Sequence, residues 1–468
     1  MRNKLIVIFL LILTGQVEAQ ISNTSLYSRF ALGEIHDGTT IKQRGMSGLS
    51  IGVENPFMVN LNNPAALSFM KEPSFTVGLK YENVLASNSE NEQRNTFSQF
   101  DHFAISFPVR KGSGGISLGL IPYSNMAYQY KDSLFIEDID SYSNLTYNGE
   151  GGINTVFLKG GYKFKLNQDT TEFSQIDYLS FGAGFKYYFG SLTNTKRVEF
   201  PRGEGYINSF IADRSTYNDI GLDYGVFYKT FLKKKRDVKD KSLSLNVGAT
   251  IKPSVKLNGK QSADVFSYLL NSLGEEFTVD SISAERDQSG YAILPTNIGA
   301  GISLDYFFQN KDGGFQRNLL FGLDFTTNSW SDFETNFFEV KDFTEVTDNT
   351  NLTFGLQYRP NTQFDDGQVS SYFQACTYRF GMRSSTLNLT LDNQRLTENG
   401  INLGVSLPLV YGLNSKNSET SLDLSVGYGT RGTTENALIK EDYLRIMVGF
   451  SLHPNQRFDK WFRKRKYD

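Results

Sequence analysis

Alternation of apolar and polar residues is the feature that most constrains the fold of this chain. Between residues 178 and 189 almost every second residue is apolar, and the residues between them are mostly small or polar. Successive side chains of a β-strand point to opposite faces, so such a segment forms a strand with one apolar and one polar face. The same pattern returns in 243–251, 401–407, 422–428 and 444–453, and the apolar faces carry almost no charge.

These uncharged faces favour a membrane barrel over a soluble β-sandwich, which would show the same alternation. A Lys or Arg that faces lipid at the bilayer midplane costs roughly 2–4 kcal/mol, so lipid-facing walls exclude charge. Candidate strands centre near residues 79, 105, 119, 159, 183, 224, 247, 302, 322, 355, 376, 404, 425 and 447. The sequence therefore predicts an all-β fold, a transmembrane antiparallel β-barrel of about 14 strands. Residues 259–286 allow two interpretations, an added hairpin or a long external loop.

The beginning of the chain has the features of a secretory signal peptide, residues 1–19. Arg2 and Lys4 precede an apolar run, Leu5–Leu13, which is too short to span a bilayer as a helix. We therefore expect export and a place in the cell outer membrane, with membrane lipid around the barrel. The single cysteine, Cys376, excludes an internal disulfide and is interpreted as a small hydrophobic residue in a strand.

A run of small residues comes before the first strand. Gly45, Ser47, Gly48, Ser50 and Gly52 fall within nine positions, and the run ends in Asn63-Pro64-Ala65. A surface turn is one interpretation, because proline pushes the preceding residue out of the helical region. The stretch also resembles the N-terminal hatch of the FadL-like outer-membrane transporters, where a small-residue run leads into an NPA motif inside the barrel.

This resemblance implies four parts of the chain. They are the signal peptide 1–19, a hatch or plug in the lumen over 20–70 (here the hatch segment), the barrel 71–453 and a basic periplasmic tail 454–468. Leu294–Asn297 before a glycine-rich strand and Asp324–Phe333 also resemble FadL-like segments, and Trp330 is predicted to lie in an interfacial aromatic girdle. Gly429–Gly432 and the closing residues 461–466 resemble the ends of Bacteroidota members.

The connections between strands fall into two sets. Arg110–Ser113 and Lys233–Lys241 are compact and are predicted to be periplasmic. The longer, polar connections are predicted to be extracellular; they are Ser87–Thr96, Lys131–Gly152, Thr193–Thr216, Gly259–Gln288 and Ser331–Asn349. The last strand must pair with the first near Phe75–Tyr81, because open edges are not tolerated in hydrocarbon.

No catalytic, metal or cofactor motif is evident in the sequence. His36, His102 and His453 are far apart, and a net charge of −3 does not favour nucleic acid. We therefore expect no enzyme activity, no metal and no cofactor. The polar strand faces carry four acidic residues, Asp223, Asp305, Asp324 and Asp423. They are interpreted as lumen groups that either tune what passes or pair with basic residues such as Lys186, Lys252 or Arg445.

Two functions remain open at this point. The first is passive transport of small hydrophobic molecules, with the ligand bound at the hatch segment. The residues assigned to that site are Phe57, Met58, Leu61, Asn63, Pro64 and Ala65. The second is a plugged barrel that is a non-transporting subunit of a larger outer-membrane secretion or assembly complex. Its partners would be other outer-membrane or periplasmic proteins, and Trp461 and Phe462 in the tail would either dock one or clamp the tail to the rim.

Overall fold

A computed structural model describes most of the chain. It covers residues 25–137, 140–167, 175–201, 206–235, 241–271, 273–308, 317–337, 346–360, 369–409 and 420–454. The signal peptide, most of the basic tail and the anchors Trp461 and Phe462 lie outside the described residues. No helix among the described residues has the length and apolar character needed to cross a bilayer.

Seventeen strands form one sheet in the described part of the chain. They are β1 (Glu34–Ile35), β2 (Ser74–Ser87), β3 (Glu92–Val109), β4 (Gly114–Ile136), β5 (Ser141–Lys165), β6 (Tyr178–Glu199), β7 (Asn208–Lys233), β8 (Ser242–Lys252), β9 (Val255–Leu270), β10 (Glu276–Leu294), β11 (Asn297–Phe308), β12 (Arg317–Asn328), β13 (Asn349–Arg359), β14 (Thr377–Leu391), β15 (Gln394–Pro408), β16 (Ser421–Gly432) and β17 (Lys440–Leu452). Short helical segments are Leu26–Arg29, Ile41–Arg44, Pro64–Phe69, Arg110–Gly112, Trp330–Asp332, Val369–Ala375 and Glu435–Ala437.

Fourteen of the described strands, β2–β8 and β11–β17, close into an antiparallel barrel. β8 pairs directly with β11, and β17 pairs with β2 from Leu452↔Phe75 to Lys440↔Ser87. The predicted strand count and the predicted closing pair are therefore confirmed. Here the end of the barrel at Ser74 is called the lower end, and the end at Ser87 is called the upper end.

The barrel has its polar residues inside and its apolar residues outside. On β6, Phe181 is 50% exposed whereas its neighbour Ser180 is fully buried. On β15 Leu403 is 60% exposed, whereas on β8 Asn246 is fully buried. A soluble protein buries the apolar set, so this inversion places the outer wall in lipid.

The upper end is extended on one side. β9 and β10 form a hairpin above β8, and β9 pairs with the upper part of β7 between Asn208 and Tyr217. The hairpin interpretation of 259–286 is therefore the right one.

The strand order also places Arg110–Ser113 and Lys233–Lys241 at the lower end, and the five longer connections at the upper end. Much of Lys131–Gly152 and Thr193–Thr216 is strand that extends β4 to β7.

Two local predictions are wrong. The strand expected around 376 begins only at Thr377, because Val369–Ala375 is helical, and Cys376 is buried between the helix and β14. Trp330 is 3% exposed and lies in an apolar cluster at the upper end, where its ring is 5.6 Å from that of Phe333. It does not join an outer girdle because β12 ends at Asn328 and the chain then turns through Trp330–Asp332.

One seam of the barrel is only partly closed by its own strands. β3 and β4 pair from Val109↔Gly114 up to Phe103↔Leu120, although both strands continue upward. Above that point β1 of the hatch segment pairs with β4, and the His36 amide donates to the Tyr123 carbonyl at 2.9 Å. The hatch segment therefore supplies backbone partners where the wall lacks them, as a structure surrounded by lipid requires.

Candidate functional site

The candidate site is the contact between the hatch segment and the inner wall of the barrel. Residues 41–67 follow the wall around most of its circumference. Ile41 contacts β17 and β2, Gly45 contacts β15, Leu49 contacts β13 and β12, and Ile51 contacts β11 and β8. The path then continues through 63–67 along β7, β6, β5 and β4.

Glycines on the wall make this path possible. On twelve of the fourteen barrel strands, a methyl group added to an inward glycine would come within 3.0 Å of the hatch segment. These glycines, here the glycine belt, are Gly78, Gly115, Gly161, Gly182, Gly225, Gly248, Gly301, Gly322, Gly355, Gly381, Gly404 and Gly449. Protein interiors are close-packed, so a missing Cβ lets one backbone lie directly against another.

Asn60 and Asn63 organise the turn that enters the NPA motif. The Asn60 side-chain oxygen accepts from the amides of Asn62 and Asn63 at 3.1 and 2.9 Å. The Asn63 oxygen caps the helical turn Pro64–Phe69 by accepting from the Ala65 amide at 3.0 Å, and its amide group donates to the Ile51 carbonyl at 2.9 Å. Asn63, Pro64 and Ala65 are all buried and face Gly225, Gly182 and Gly161 of the belt.

The side chain of Asp324 binds backbone amides of the small-residue run. Its carboxylate accepts from the amides of Ser50 and Ile51 at 2.7 Å each and from Gly52 at 3.3 Å. Three amides directed at one buried carboxylate replace the water that the charge has lost.

The other three predicted lumen aspartates are also buried, but only Asp223 has an ion-paired lysine in the described part of the chain. Asp223 lies 2.6 Å from Lys159 and 3.0 Å from Lys186. Asp305 accepts from Asn318, and Asp423 accepts from Ser451 at 2.7 Å. The expected pairing with lumen lysines or arginines therefore describes one aspartate of the four, and hydroxyl, amide or backbone donors serve the others.

The apolar residues of the hatch segment are occupied by packing. Met58 forms a buried cluster with Met46, Leu49, Val53 and Leu320. Leu61 lies in a second cluster against Phe157 of β5. The Phe57 ring is half-buried and meets the His453 ring edge-on, with 6.0 Å between centroids.

The upper part of the hatch segment is held by charge. Glu441 accepts from the Ser25 hydroxyl at 2.8 Å and from the Leu26 amide at 3.0 Å. Arg431 bridges Glu441 and Glu34. The Tyr27 hydroxyl donates to the carbonyl of Ile439 in the connection before β17.

Further ion pairs extend this network across neighbouring strands. Arg445 reaches Glu34, Glu82 and Glu398 at 3.4, 2.9 and 3.3 Å. Asp37 is paired with Arg383 and with Arg44, the latter at 3.6 Å. Burial alone would raise the pKa of the Asp37 carboxyl, but the two arginines lower it well below its usual range.

A cavity of about 230 Å³ lies between the upper hatch segment and the wall. Its lining combines charged side chains, including Asp37, Lys159, Lys186, Lys252 and Arg383, with apolar ones such as Ile121, Leu294 and Trp330. Of the predicted ligand residues only Leu61 reaches it. Within the described residues, no group of three His, Cys, Asp or Glu is arranged to hold a metal ion.

Sequence reasoning missed the glycine belt and the charge network. The belt glycines were visible only as small residues on polar strand faces. Which of them meet the hatch segment depends on the register of fourteen strands, which alternation does not give. Pairs such as Glu34 and Arg431 are almost 400 residues apart in sequence, so only the closed ring brings them together.

The family of this chain follows from its match to a family model. A family model described as BamG matches residues 1–468. The chain belongs to the BamG family. No curated protein matches it.

Solved outer-membrane transporters share the fold of this BamG-family chain. The Pseudomonas putida toluene transporter TodX superposes with a TM-score of 0.53 at 14% identity, over 90% of this chain and 99% of that chain. The Ralstonia pickettii toluene transporter TbuX gives 0.52 at 14% identity, over 90% and 99%. The CymD monoaromatic hydrocarbon channel gives 0.50 at 14% identity, over 89% and 98%. The predicted FadL-like outer-membrane barrel is confirmed, and at this identity the similarity shows the fold alone.

Proposed function

We propose that this chain is a permanently plugged outer-membrane barrel that acts as a non-transporting subunit of a larger outer-membrane secretion or assembly complex. The observation that carries the proposal is the glycine belt. A gate needs clearance from the wall that it slides past, and this segment touches the wall in order around most of the ring.

Energetics support a fixed plug. Displacing residues 50–52 strands the carboxylate of Asp324, and a buried acceptor without its donors costs about 1–3 kcal/mol. Displacing the upper part also breaks the partly buried ion pairs of Glu34 and Asp37, which adds to that cost. All of these costs arise at once when the segment is displaced, because one continuous segment makes all the contacts.

The chemistry of the cavity points the same way. A site for hydrophobic molecules is lined predominantly by apolar side chains. Here the apolar residues of the hatch segment pack against one another and the wall, and the cavity is not predominantly apolar, because five lysines and arginines and four carboxylates also line it. The family name BamG also suits a member of a multi-subunit assembly.

Passive transport of small hydrophobic molecules is the second candidate, favoured by the shared fold of TodX and TbuX, which are described as toluene transporters. If this chain transports, the ligand contacts the hatch segment, and Phe57→Ala and Leu61→Ala should weaken uptake by folded, membrane-inserted protein. Equal uptake in both variants would remove the basis of this candidate.

A disulfide tether between hatch segment and wall separates the two candidates. The Ser68 and Ser180 hydroxyl oxygens are 2.8 Å apart and both residues are fully buried, so Ser68→Cys with Ser180→Cys places two thiols within bonding reach. We expect the oxidised double variant to keep stoichiometric partners during purification from detergent-solubilised membranes, to the same extent as wild type.

Hydrocarbon uptake by cells or proteoliposomes is the matched measurement, with each single cysteine variant and the reduced double variant as controls. We expect oxidation to change nothing. Uptake that occurs in the reduced protein and stops on oxidation, in the absence of stoichiometric partners, would replace the proposal with transport.

A further inference from the structure

Three lysines meet at the floor of the cavity with one carboxylate between them. Lys159 of β5 lies 2.6 Å from Asp223 and donates to the Leu61 carbonyl at 2.5 Å. Lys186 of β6 reaches the same Asp223 oxygen at 3.0 Å. Lys252 of β8 donates to the side-chain oxygen of Asn62 at 3.2 Å, and within the described residues no carboxylate is within 4.0 Å of it.

The other carboxylates around the cavity are already engaged. Glu34 is held by Arg431 and Arg445, and Asp37 by Arg383 and Arg44. Asp324 accepts three backbone amides. Glu398 accepts from Tyr443 at 2.6 Å and from Arg445. Among the described residues, Asp223 is therefore the only carboxylate within 4.0 Å of any of the three ammonium groups.

A buried polar group that lines the same cavity also lacks a partner. Thr155 of β5 is 1% exposed, and its hydroxyl finds no hydrogen-bond partner among the described residues. Buried charge without a counter-charge is expensive, and an anion with several oxygens would offer acceptors to the ammonium groups.

We propose that this pocket binds one small oxyanion, of the size of phosphate or sulfate, between Lys159, Lys186 and Lys252. The Asn62 side chain borders the site, and Thr155 lines the same cavity. Because Leu61 and Asn62 belong to the hatch segment, the bound anion joins that segment to β5, β6 and β8. The site is independent of the proposed function, since it requires neither transport nor a protein partner.

The test uses the full-length protein purified in non-ionic detergent. Inorganic phosphate and sulfate are titrated calorimetrically and by the midpoint of heat-induced unfolding, against chloride at equal ionic strength. We expect saturable binding of both oxyanions and an upward shift of the midpoint, because a ligand that binds only the folded state stabilises it. Dihexanoyl phosphatidic acid distinguishes the source: tighter binding than free phosphate assigns a lipid headgroup, and weaker binding assigns a free oxyanion.

Two substitutions are expected to act in opposite directions. Lys252→Met removes a ligand and should weaken binding at least about tenfold, as loss of a charge-assisted hydrogen bond does. Asp223→Asn removes the competing carboxylate and should tighten binding. Lys260→Met is the control, because that side chain is 62% exposed on β9.

Each outcome decides the question. A merely structural role would make both Lys252→Met and Asp223→Asn less stable and would leave no oxyanion-specific shift. If Lys252→Met does not give a heat-modifiable barrel, Lys252→Gln takes its place. Equal affinity of Lys252 variants and wild type, or an equal response to chloride and sulfate, overturns the proposal.

Discussion

The lower and upper parts of the hatch segment are held by different physics. From Ile41 to Met70 the segment lies against belt glycines and buries its apolar side chains, so the fit is mainly one of shape, to which Asp324 and the ion pair of Lys229 with Glu54 add polar contacts. From Ser25 to Thr40 it faces the cavity and is fixed mainly by hydrogen bonds and ion pairs to Glu441, Arg431 and Arg383. The difference predicts what each part tolerates: the lower part should fail when volume is added, and the upper part should fail when a partner is removed.

Added volume in the glycine belt should have the largest effect. Gly182→Leu would place a side chain on the backbone of Pro64 and Ala65, and neither the strand nor the turn has room to yield. We expect no heat-modifiable barrel in the outer membrane. The control is Ala183→Leu, one residue along β6 on the exposed outer face, which should assemble like wild type. Assembly of both variants would show that the turn can withdraw from the wall.

Deleting the segment should separate closure from folding. Removal of residues 22–60 takes away the contacts of Ile41–Gly52 with β2, β8, β11–β15 and β17 and the pairing of β1 with β4, but leaves Pro64–Phe69 against β4–β7. We expect a barrel that inserts and shows a large, steady conductance in planar bilayers, whereas the intact protein is closed. A deletion protein that remains closed would mean that the connections at the upper end seal the barrel by themselves.

Removing one partner from the upper network should destabilise without preventing assembly. Arg431→Met leaves the buried Glu441 without its arginine and removes one of the two arginines of Glu34, and an unpaired buried charge costs about 3–5 kcal/mol. We expect a lower midpoint of heat modification. The control is Lys440→Met, whose side chain is 40% exposed in its pair with Asp442 and should change the midpoint little. Equal midpoints for Arg431→Met and wild type would show that the ion pairs of Arg431 do not stabilise the upper part.

The two parts also differ in how far the sequence predicted them. Alternation predicted the faces of the strands, their number and the closing pair, because lipid on one side imposes the same rule on every strand. It failed where local chemistry overrides the rule, at Trp330, which turns into the upper cluster, and at Cys376, which a helix displaces from β14. The small-residue run and Asn63-Pro64 predicted a close fit of the lower part. Nothing local in the sequence could predict the upper part, since Glu34, Glu82 and Arg431 meet only after the ring has closed.

The smallest effect is expected from truncation after Pro454. This variant tests whether the lower end needs the basic tail in addition to the glycine belt. The contacts described for residues 41–70 lie before that point. So do the edge-on pair of Phe57 with His453 and the bond from the His453 amide to Thr420 at 3.0 Å. We therefore expect the truncated chain to insert and to show the midpoint of heat modification of the full chain, because it keeps all of the contacts found among residues 25–454. If it also loses a partner that the full chain retains on purification, the tail is a docking element. Failure to insert would instead assign residues 455–468 to folding, and the shape fit of the lower part would then be insufficient by itself.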